Sequence, residues 1–533
     1  MDCSTTYLPF ESTGYFSKIV EDYLQQHENI RSFYLHEPNW AGVDSSMRSR
    51  DKHPVNREVL AGALKQQYAG QENAEAVLKN IELLSHSSTY TITTAHQPNL
   101  FTGPLYFIYK IIHVIKLAEK LSAKYPDKNF VPVFYMGSED ADLDELGFVN
   151  IDNTRWSWET KQSGAVGRMN VDKPLLALIE SISGQIGVLP NGNEWVALLR
   201  KCYANGKSIQ EATLSLVHAL FGHYGLVVLI PDNPVLKKLF VPVMAKELTA
   251  QFSHKEVNTT IQSLGQFYKV QAAGRPINLF YLIDDKRERI EKEGDLYAVS
   301  SMGLRFTEQE IMQELDAHPE RFSPNVILRG AFQETILPNI IFVGGGGELA
   351  YWLELKTVFE KAGVAYPLLM LRNSFSIASA KLTQKQLSLQ LTDADLFLPE
   401  HQLISQYVEK HSQHQLNLDK EKDTLKAYYE QLSTMATQID ASLKDHVSAL
   451  SLQSLKKLVE LEKKMKRAEK RKFSIAAYQI QTIKNTLFPG NSLQERQENI
   501  ASFYARYGRD VIDMIYQASG DISPAFGLIK IQS

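Results

Sequence analysis

TYTITTAHQPNLFTGPLYFIYKIIHVIKLAEKLSAKYPDKNFVPVFYM, residues Thr89 to Met136, decides the fold class of this chain. Tyr90–Ala95 is a β-branched run that stops at His96-Gln97-Pro98-Asn99, which reads as a strand closed by a turn. From about Pro104 to Lys124, Leu105, Ile108, Ile112, Ile115 and Leu117 recur at helical spacing. Pro126-Asp127 ends that helix, and Phe130–Met136 is a second buried-looking strand. Strand, helix, strand within this length is the right-handed βαβ unit of a parallel sheet.

Working outward, Met1 to about Ser88 reads as mostly helical, with amphipathic stretches at Glu58–Ala69 and Ala74–Leu84. Between Asp142 and about Gly225 the βα rhythm is lost, and turns such as Pro190-Asn191-Gly192-Asn193 suggest an insertion. Leu226–Ile230 is again a core strand. Leu279–Ile283 and Asp295–Val299 suggest a small antiparallel piece. Ile340–Val343 runs into Gly344-Gly345-Gly346-Gly347 and a helix from about Glu348, and Pro367–Leu371 is the last strand expected. From about Ser376 the pattern changes. Leu418, Leu425, Leu432 and Ile439 fall seven apart, with Tyr429, Ala436 and Leu443 at the second seam position, which is a coiled-coil signal. A second helical stretch is expected from about Ser454 to Leu487.

The expected organisation is a Rossmann-like α/β core over 1–375, with insertions at about 150–225 and 245–325. A helical coiled-coil domain follows over 376–500, and a segment 501–533 packs back on the core. A chain of 533 residues is too long for a single hydrophobic core, which agrees. Net charge is −4 and the pI about 6.4, so no general attraction to nucleic acid follows. The basic run Lys463–Lys472 lacks interleaved aromatics and reads as a solvated helix face. Nowhere do about 18 apolar residues run together, so no membrane span is expected. Cys3 and Cys202 are the only cysteines, too few for a disulfide framework or a four-thiolate zinc site, and they suit a reducing cytoplasm.

Three polar segments fall at the C-terminal ends of expected parallel strands, the edge where ligands of open α/β sheets collect. In the first, His96 to Pro104, Thr102 can cap the helix, Gly103 allows close approach and Pro104 suits the first turn. The competing reading is an ordinary capped helix. The second, Glu139-Asp140-Ala141-Asp142-Leu143-Asp144-Glu145, holds five carboxylates in seven residues, which suit Mg²⁺ beside phosphates, an amine, or sugar hydroxyls. Asp144 and Glu145 fit an acidic first helical turn, which leaves Glu139, Asp140 and Asp142 as the candidates. The third is the glycine run with Glu348, Tyr351 and Trp352, the aromatics offering stacking surface. Arg329 and Gln333, and Arg372 and Ser374, flank these segments, and either arginine could clamp a carboxylate or phosphate.

Four blocks together carry a resemblance: TAHQPNLFTGPLYFIYKIIHVIKLAE, VPVFYMGSEDADLDEL, SPNVILRGAFQETILPNIIFVGGGGELAYWLELK and YPLLMLRNSF. In content and order they resemble the cysteine-adding enzymes of bacillithiol biosynthesis, over nearly the whole chain. The resemblance implies a core related to class I aminoacyl-tRNA synthetases and a coiled coil that pairs two copies into a homodimer. It implies a cytoplasmic ligase joining L-cysteine to the amine of glucosaminyl malate, by way of a cysteinyl adenylate if ATP is used, with Mg²⁺ as a possible companion. Within that reading, the three polar segments supply His96, Glu139, Asp140 and Asp142 as the candidate catalytic residues. Substrate or nucleotide contacts would fall to Gln97, Asn99, Thr102, Gly103, Arg329, Gln333, Gly344, Gly345, Gly347, Glu348, Tyr351, Trp352, Arg372 and Ser374.

The chain departs from the synthetase pattern in two places and from that of the family's relatives in a third. Phe101-Thr102-Gly103-Pro104 stands where a HIGH-type motif is expected, and Arg372-Asn373-Ser374-Phe375-Ser376 where a KMSKS loop would be. Ala141 occupies a place where relatives carry histidine in Glu-Asp-His-Asp, so His96 becomes the candidate base. A non-catalytic synthetase-like protein that holds a nucleotide or thiol metabolite is the alternative reading.

Overall fold

The computed structural model of the chain describes residues 2–271, 274–520, 522 and 525–532. Five strands make the central sheet: β1 (Thr89–His96), β2 (Asn129–Met136), β3 (Val227–Leu229), β4 (Asn339–Gly344) and β5 (Leu368–Leu371). Every pairing is parallel and the spatial order is β5-β4-β1-β2-β3. The chain winds outward from β1 to β3, then crosses back to β4, so the direction of winding reverses between β1 and β4. Register aligns the C-terminal ends along one edge, with His96 beside Met136 and Gly344 beside Leu371.

Both faces of this sheet are covered, which explains the near-continuous apolar runs. The buried threonines of β1 keep their hydroxyls satisfied: Thr94 donates to the Val343 carbonyl at 2.7 Å and Thr91 to Asn339 Oδ1 at 3.3 Å. β3 begins beside Val133, so Pro132 lies where β1 alone flanks the strand. The crossover helix α1 (Tyr106–Lys124) buries Phe107, Ile108, Ile111, Ile112 and Ile115. It also buries Lys110 and His113.

Residues 148–221 add a hairpin (Phe148–Ile151 with Thr154–Ser157) and three helices, and no strand of the central sheet. Further along, Leu279–Ile283 and Leu296–Val299 belong to two separate three-stranded antiparallel sheets rather than to one piece. Three more strands, which share one sheet, lie where none was expected. Cys3–Leu8 pairs antiparallel with Phe526–Ile531, in one sheet with Ser374–Ala378. Cys3–Leu8 alternates half-buried and exposed residues and finds its partner at the far end of the chain, so no local pattern announces it.

By contacts the chain divides into two compact units, Met1–Ile377 with Ser492–Ser533, and Ala378–Asn491. The chain that re-enters the first unit is fixed by polar bonds. Gln494 accepts from the Ile377 N–H at 2.8 Å and donates to its carbonyl at 3.2 Å. Glu495, fully buried, takes two guanidinium bonds from Arg372, at 2.9 and 2.6 Å. Asn499 donates to the carbonyls of Phe101 and Gly103. The second unit holds a helical hairpin in which α4 (Asp419–Ile439) packs against α5 (Leu443–Lys472) of the same chain. Tyr429 meets Ser454 at 2.8 Å across the seam, and Lys422 pairs with Glu462. The turn comes earlier than the expected start near Ser454. Asp440 is extended, and its carboxylate accepts from the Ser442 N–H at 2.8 Å, so Leu443 opens the second helix instead of continuing the first.

Removing Glu495 would leave the Arg372 guanidinium charged and unpaired in the interior, a loss of about 3–5 kcal/mol. Glu495→Ala is therefore expected to lower unfolding free energy by that amount in urea titrations at pH 7. An unchanged midpoint would show that the pair carries no such weight.

Candidate active site

A cavity of about 270 Å³ opens at the reversal between β1 and β4. Its walls come from the end of β1 and the residue after it (His96, Gln97), the first turns of α1 (Tyr106, Lys110), and Gly345 with the start of the helix that follows β4 (Gly346–Glu348). Helix α2 (Val326–Ile336) supplies Arg329, the residue after β5 is Arg372, and the re-entering chain adds Arg496. The volume suits a small ligand, or one end of a larger one.

The charge balance is specific. Lys110 is buried, donates to the Ala95 carbonyl at 3.0 Å and pairs with Glu348. Burial pulls its pKa down, with Glu348 acting against that. Arg329 forms a two-pronged pair with Asp140, one prong at 2.9 Å. Burial pushes the Asp140 carboxyl up, but Arg329 and then Arg287 outweigh it, and the net shift is downward. Arg372 belongs to Glu495. Among the described residues the Arg496 side chain makes no ion pair and no hydrogen bond, and the residue is exposed at the cavity. Helix α3 (Gly346–Leu353) begins at the wall, and Glu348 accepts from the Gly345 N–H at 2.8 Å. First-turn N–H groups have no intrahelical partner and suit an anion.

His96 lines the cavity, and its Nε2 is buried without a partner. Burial holds its pKa well below 6.5, and the positive charges of Lys110 and Arg372 push the same way. The ring is therefore neutral at physiological pH. Tyr106 stands 5.3 Å from it, with a phenol pushed up to about 12, chiefly by burial.

Of the residues singled out in the sequence, His96, Gln97, Arg329, Gly345, Gly347, Glu348, Tyr351 and Arg372 line this cavity. Asp140 does not line it, but interacts with Arg329 and Gln97, which do. Glu139 does not line it: its carboxylate pairs with Lys237 and accepts from Ser323 at 3.2 Å, within a buried network that includes Asp232 and Arg168. Asp142 is exposed and caps the short helix Leu143–Leu146. Trp352 is in the core, stacked 4.2 Å from Phe342, because Tyr351 takes the cavity side of the helix. Gln333 donates to Glu334, whose carboxylate pairs with Arg50, so it too is core. Ser374 accepts from Arg372 at 3.0 Å, and Gly344 closes β4. Asn99, Thr102 and Gly103 build the turn before α1. Phe101 and Thr102 are left-handed there, and a Cβ at Gly103 would sit 2.7 Å from the Asn99 side chain. Asn99 Oδ1 and Thr102 Oγ1 are buried and unpartnered.

Lys110, Tyr106, Gly137 and Arg496 also line the cavity and were not singled out. The signal for Lys110 was present: a lysine in the middle of YFIYKIIHVI, where its neighbours are all core. Among the described residues no group of three or more His, Cys, Asp or Glu side chains is gathered as a metal would require. No helix there is long and apolar enough to cross a membrane.

Fold and site define a Rossmann-like α/β protein with a cation-lined crevice at its topological switch point and an appended helical hairpin. Residues 3–373 match the family description "Bacillithiol biosynthesis BshC, N-terminal Rossmann-like domain", and 375–531 match the C-terminal coiled-coil domain of the same family. The chain belongs to the BshC family of bacillithiol biosynthesis. A protein named "Putative cysteine ligase BshC" from Flavobacterium johnsoniae is 38% identical over 99% of this chain and 100% of its own length. The protein of that name from Cytophaga hutchinsonii is 38% identical over 94% of each chain. A solved chain titled "putative arginyl t-RNA synthetase" from Campylobacter jejuni covers 83% of this chain and 98% of its own, at 10% identity and TM-score 0.21, too distant to bear on the fold.

A histidine kept neutral by the fold makes stability depend on pH in a known direction. Above pH 6.5 His96 is neutral folded and unfolded. Below it the unfolded chain takes up a proton that the folded chain refuses, so stability falls with pH, by up to about 1.4 kcal/mol per unit from this group. In urea unfolding at pH 7, 6 and 5, His96→Gln is expected to show a shallower decline than the wild type. Parallel declines would place the depressed group elsewhere.

Proposed function

We propose that this crevice joins L-cysteine to the amine of glucosaminyl malate, forming the amide of bacillithiol. Support comes from membership of the family over the full chain, from relatives named as cysteine ligases, and from a neutral, unpartnered His96 ring nitrogen in a cationic crevice. That nitrogen is the observation that carries the reading. An amine attacking an acyl carbon must lose a proton, and the unprotonated His96 ring can take it once a bound carboxylate or phosphate offsets the Lys110 and Arg372 charges that oppose an imidazolium there. Arg329, Arg372 and Lys110 are already paired, so they set the field of the crevice and hold its walls. The α3 N-terminus and Gly347 offer backbone donors to a carboxylate or phosphate.

A free carboxylate resists amines until it carries a leaving group. If ATP supplies one, the cysteine carboxyl becomes an adenylate: the carboxylate oxygen attacks the α-phosphorus and diphosphate leaves. The amine nitrogen then bonds to the acyl carbon, AMP departs with the electron pair of the broken C–O bond, and the amine proton passes to His96. The donor set does not fit Mg²⁺, since Glu139, Asp140 and Glu348 are each held by a base. The reaction is placed in the cytoplasm. Two copies pair through the helical hairpin, where Met435, Ile439 and Leu452 are 62%, 84% and 69% exposed.

Incubation with L-cysteine and glucosaminyl malate, with and without ATP, is read by product mass. Product only with ATP, with AMP released, supports the adenylate route; product in both tubes removes ATP from the scheme. Absence of product with ligands still bound in calorimetry would favour the non-catalytic binder. In a working assay His96→Ala is expected to lower kcat by roughly 10²–10⁴-fold. A change of less than threefold would remove His96 as the base. Sedimentation equilibrium is expected to give twice the chain mass, and Ile439→Glu with Leu452→Glu to halve it.

A further inference from the structure

Four cations reach the crevice, and three are already neutralised. Lys110 is held by Glu348, Arg329 by Asp140, and Arg372 by Glu495. Arg496 alone has no counter-ion among the described residues. Glu145 stands within electrostatic reach of Tyr106, as Arg496 does, but forms no ion pair with Arg496. A lone exposed arginine is ordinarily a solvated surface group. This one is placed by its neighbours. Gln494 is bonded to Ile377 on both sides of its amide, Glu495 is buried against Arg372, and Asn499 is fastened to the turn before α1. The backbone on either side of Arg496 is therefore fixed, and its guanidinium is delivered to the cavity.

A planar fork with no partner, beside paired cations and a helix N-terminus, is suited to a carboxylate. Resting on the ligase reading above, we infer that Arg496 is the specificity residue that reads a carboxylate of the malyl group. It thereby selects a carboxylate-bearing glycoside amine over a neutral amino sugar. The other three cations already have their charge offset by Glu348, Asp140 and Glu495, so each offers an incoming carboxylate less net attraction than the unpaired Arg496 does.

Two measurements on the full chain test this. Calorimetry with free malate and with glucosaminyl malate compares wild type, Arg496→Ala and Arg496→Lys. Steady-state kinetics compares glucosaminyl malate with methyl glucosaminide, an amine without carboxylates. Arg496→Ala is expected to weaken both malate ligands roughly 10- to 100-fold and to raise KM by the same factor. It should leave kcat and the methyl glucosaminide reaction within about twofold, with Arg496→Lys recovering part of the loss. Thermal unfolding should not move, since the side chain makes no hydrogen bond or ion pair among the described residues. Equal losses on both amines, or unchanged malate binding, would overturn the assignment. Wild type failing to add cysteine would sink the ligase reading instead, while the calorimetric comparison would still decide what Arg496 reads.

Discussion

A guanidinium buried at the ends of parallel strands needs a counter-charge, and for Arg372 that charge is Glu495, 123 residues further along the chain. The arginine is 4% exposed and the glutamate fully buried. Burial alone would lower the arginine's pKa, yet the pairing raises it. The Rossmann-like half thus has an electrostatic deficit that only the returning C-terminal segment fills. Residues 492–533 therefore belong to the core unit although a long helical excursion precedes them.

The same rule of local neutrality shapes the crevice. Cations line it, but each buried one is matched, so the cavity presents an oriented field with little unspent charge. His96 is kept neutral partly by that field, because a proton there would face Lys110 and Arg372 in a poorly solvated place. A neutral ring has a lone pair open to a substrate's proton, and a bound anion would offset the field that otherwise opposes it. The acids read as a cluster in the sequence are not one in space. Glu139 and Asp140 are adjacent in the chain but answer to different bases, Lys237 and Arg329. The sheet edge splits them.

How much was legible follows from how local each signal is. The strands β1, β2, β4 and β5, helix α1 and the glycine turn are written in side-chain periodicity and turn residues, so the switch point could be located. Which of two neighbouring residues faces a ligand was not. Tyr351 and Trp352 are equally aromatic, and only the packing of Phe342, Phe359 and Tyr366 decides that the tryptophan turns inward. Gln333 looks like a polar site residue until Glu334 and Arg50 are seen beside it. Lys110 could have been noticed as a charge on an apolar helix face. Arg496 could not, because its meaning depends on Gln494 and Glu495 meeting partners more than a hundred residues away. Strand Cys3–Leu8 was hidden for the same reason.

The exit and re-entry of the chain explain how a long excursion can sit next to a reactive site in sequence without disturbing it. The chain leaves the core unit at Ile377 and returns at Ser492, and Ile377 is itself bonded to Gln494 through both its N–H and its carbonyl. Such a clasp closes the loop at its base, so the entropy of the inserted hairpin is separated from the geometry of the crevice. Beyond the clasp, constraint falls on three successive side chains with three different tasks. Gln494 closes the loop, Glu495 neutralises the core, and Arg496, relieved of any structural duty, is the one left over for a ligand.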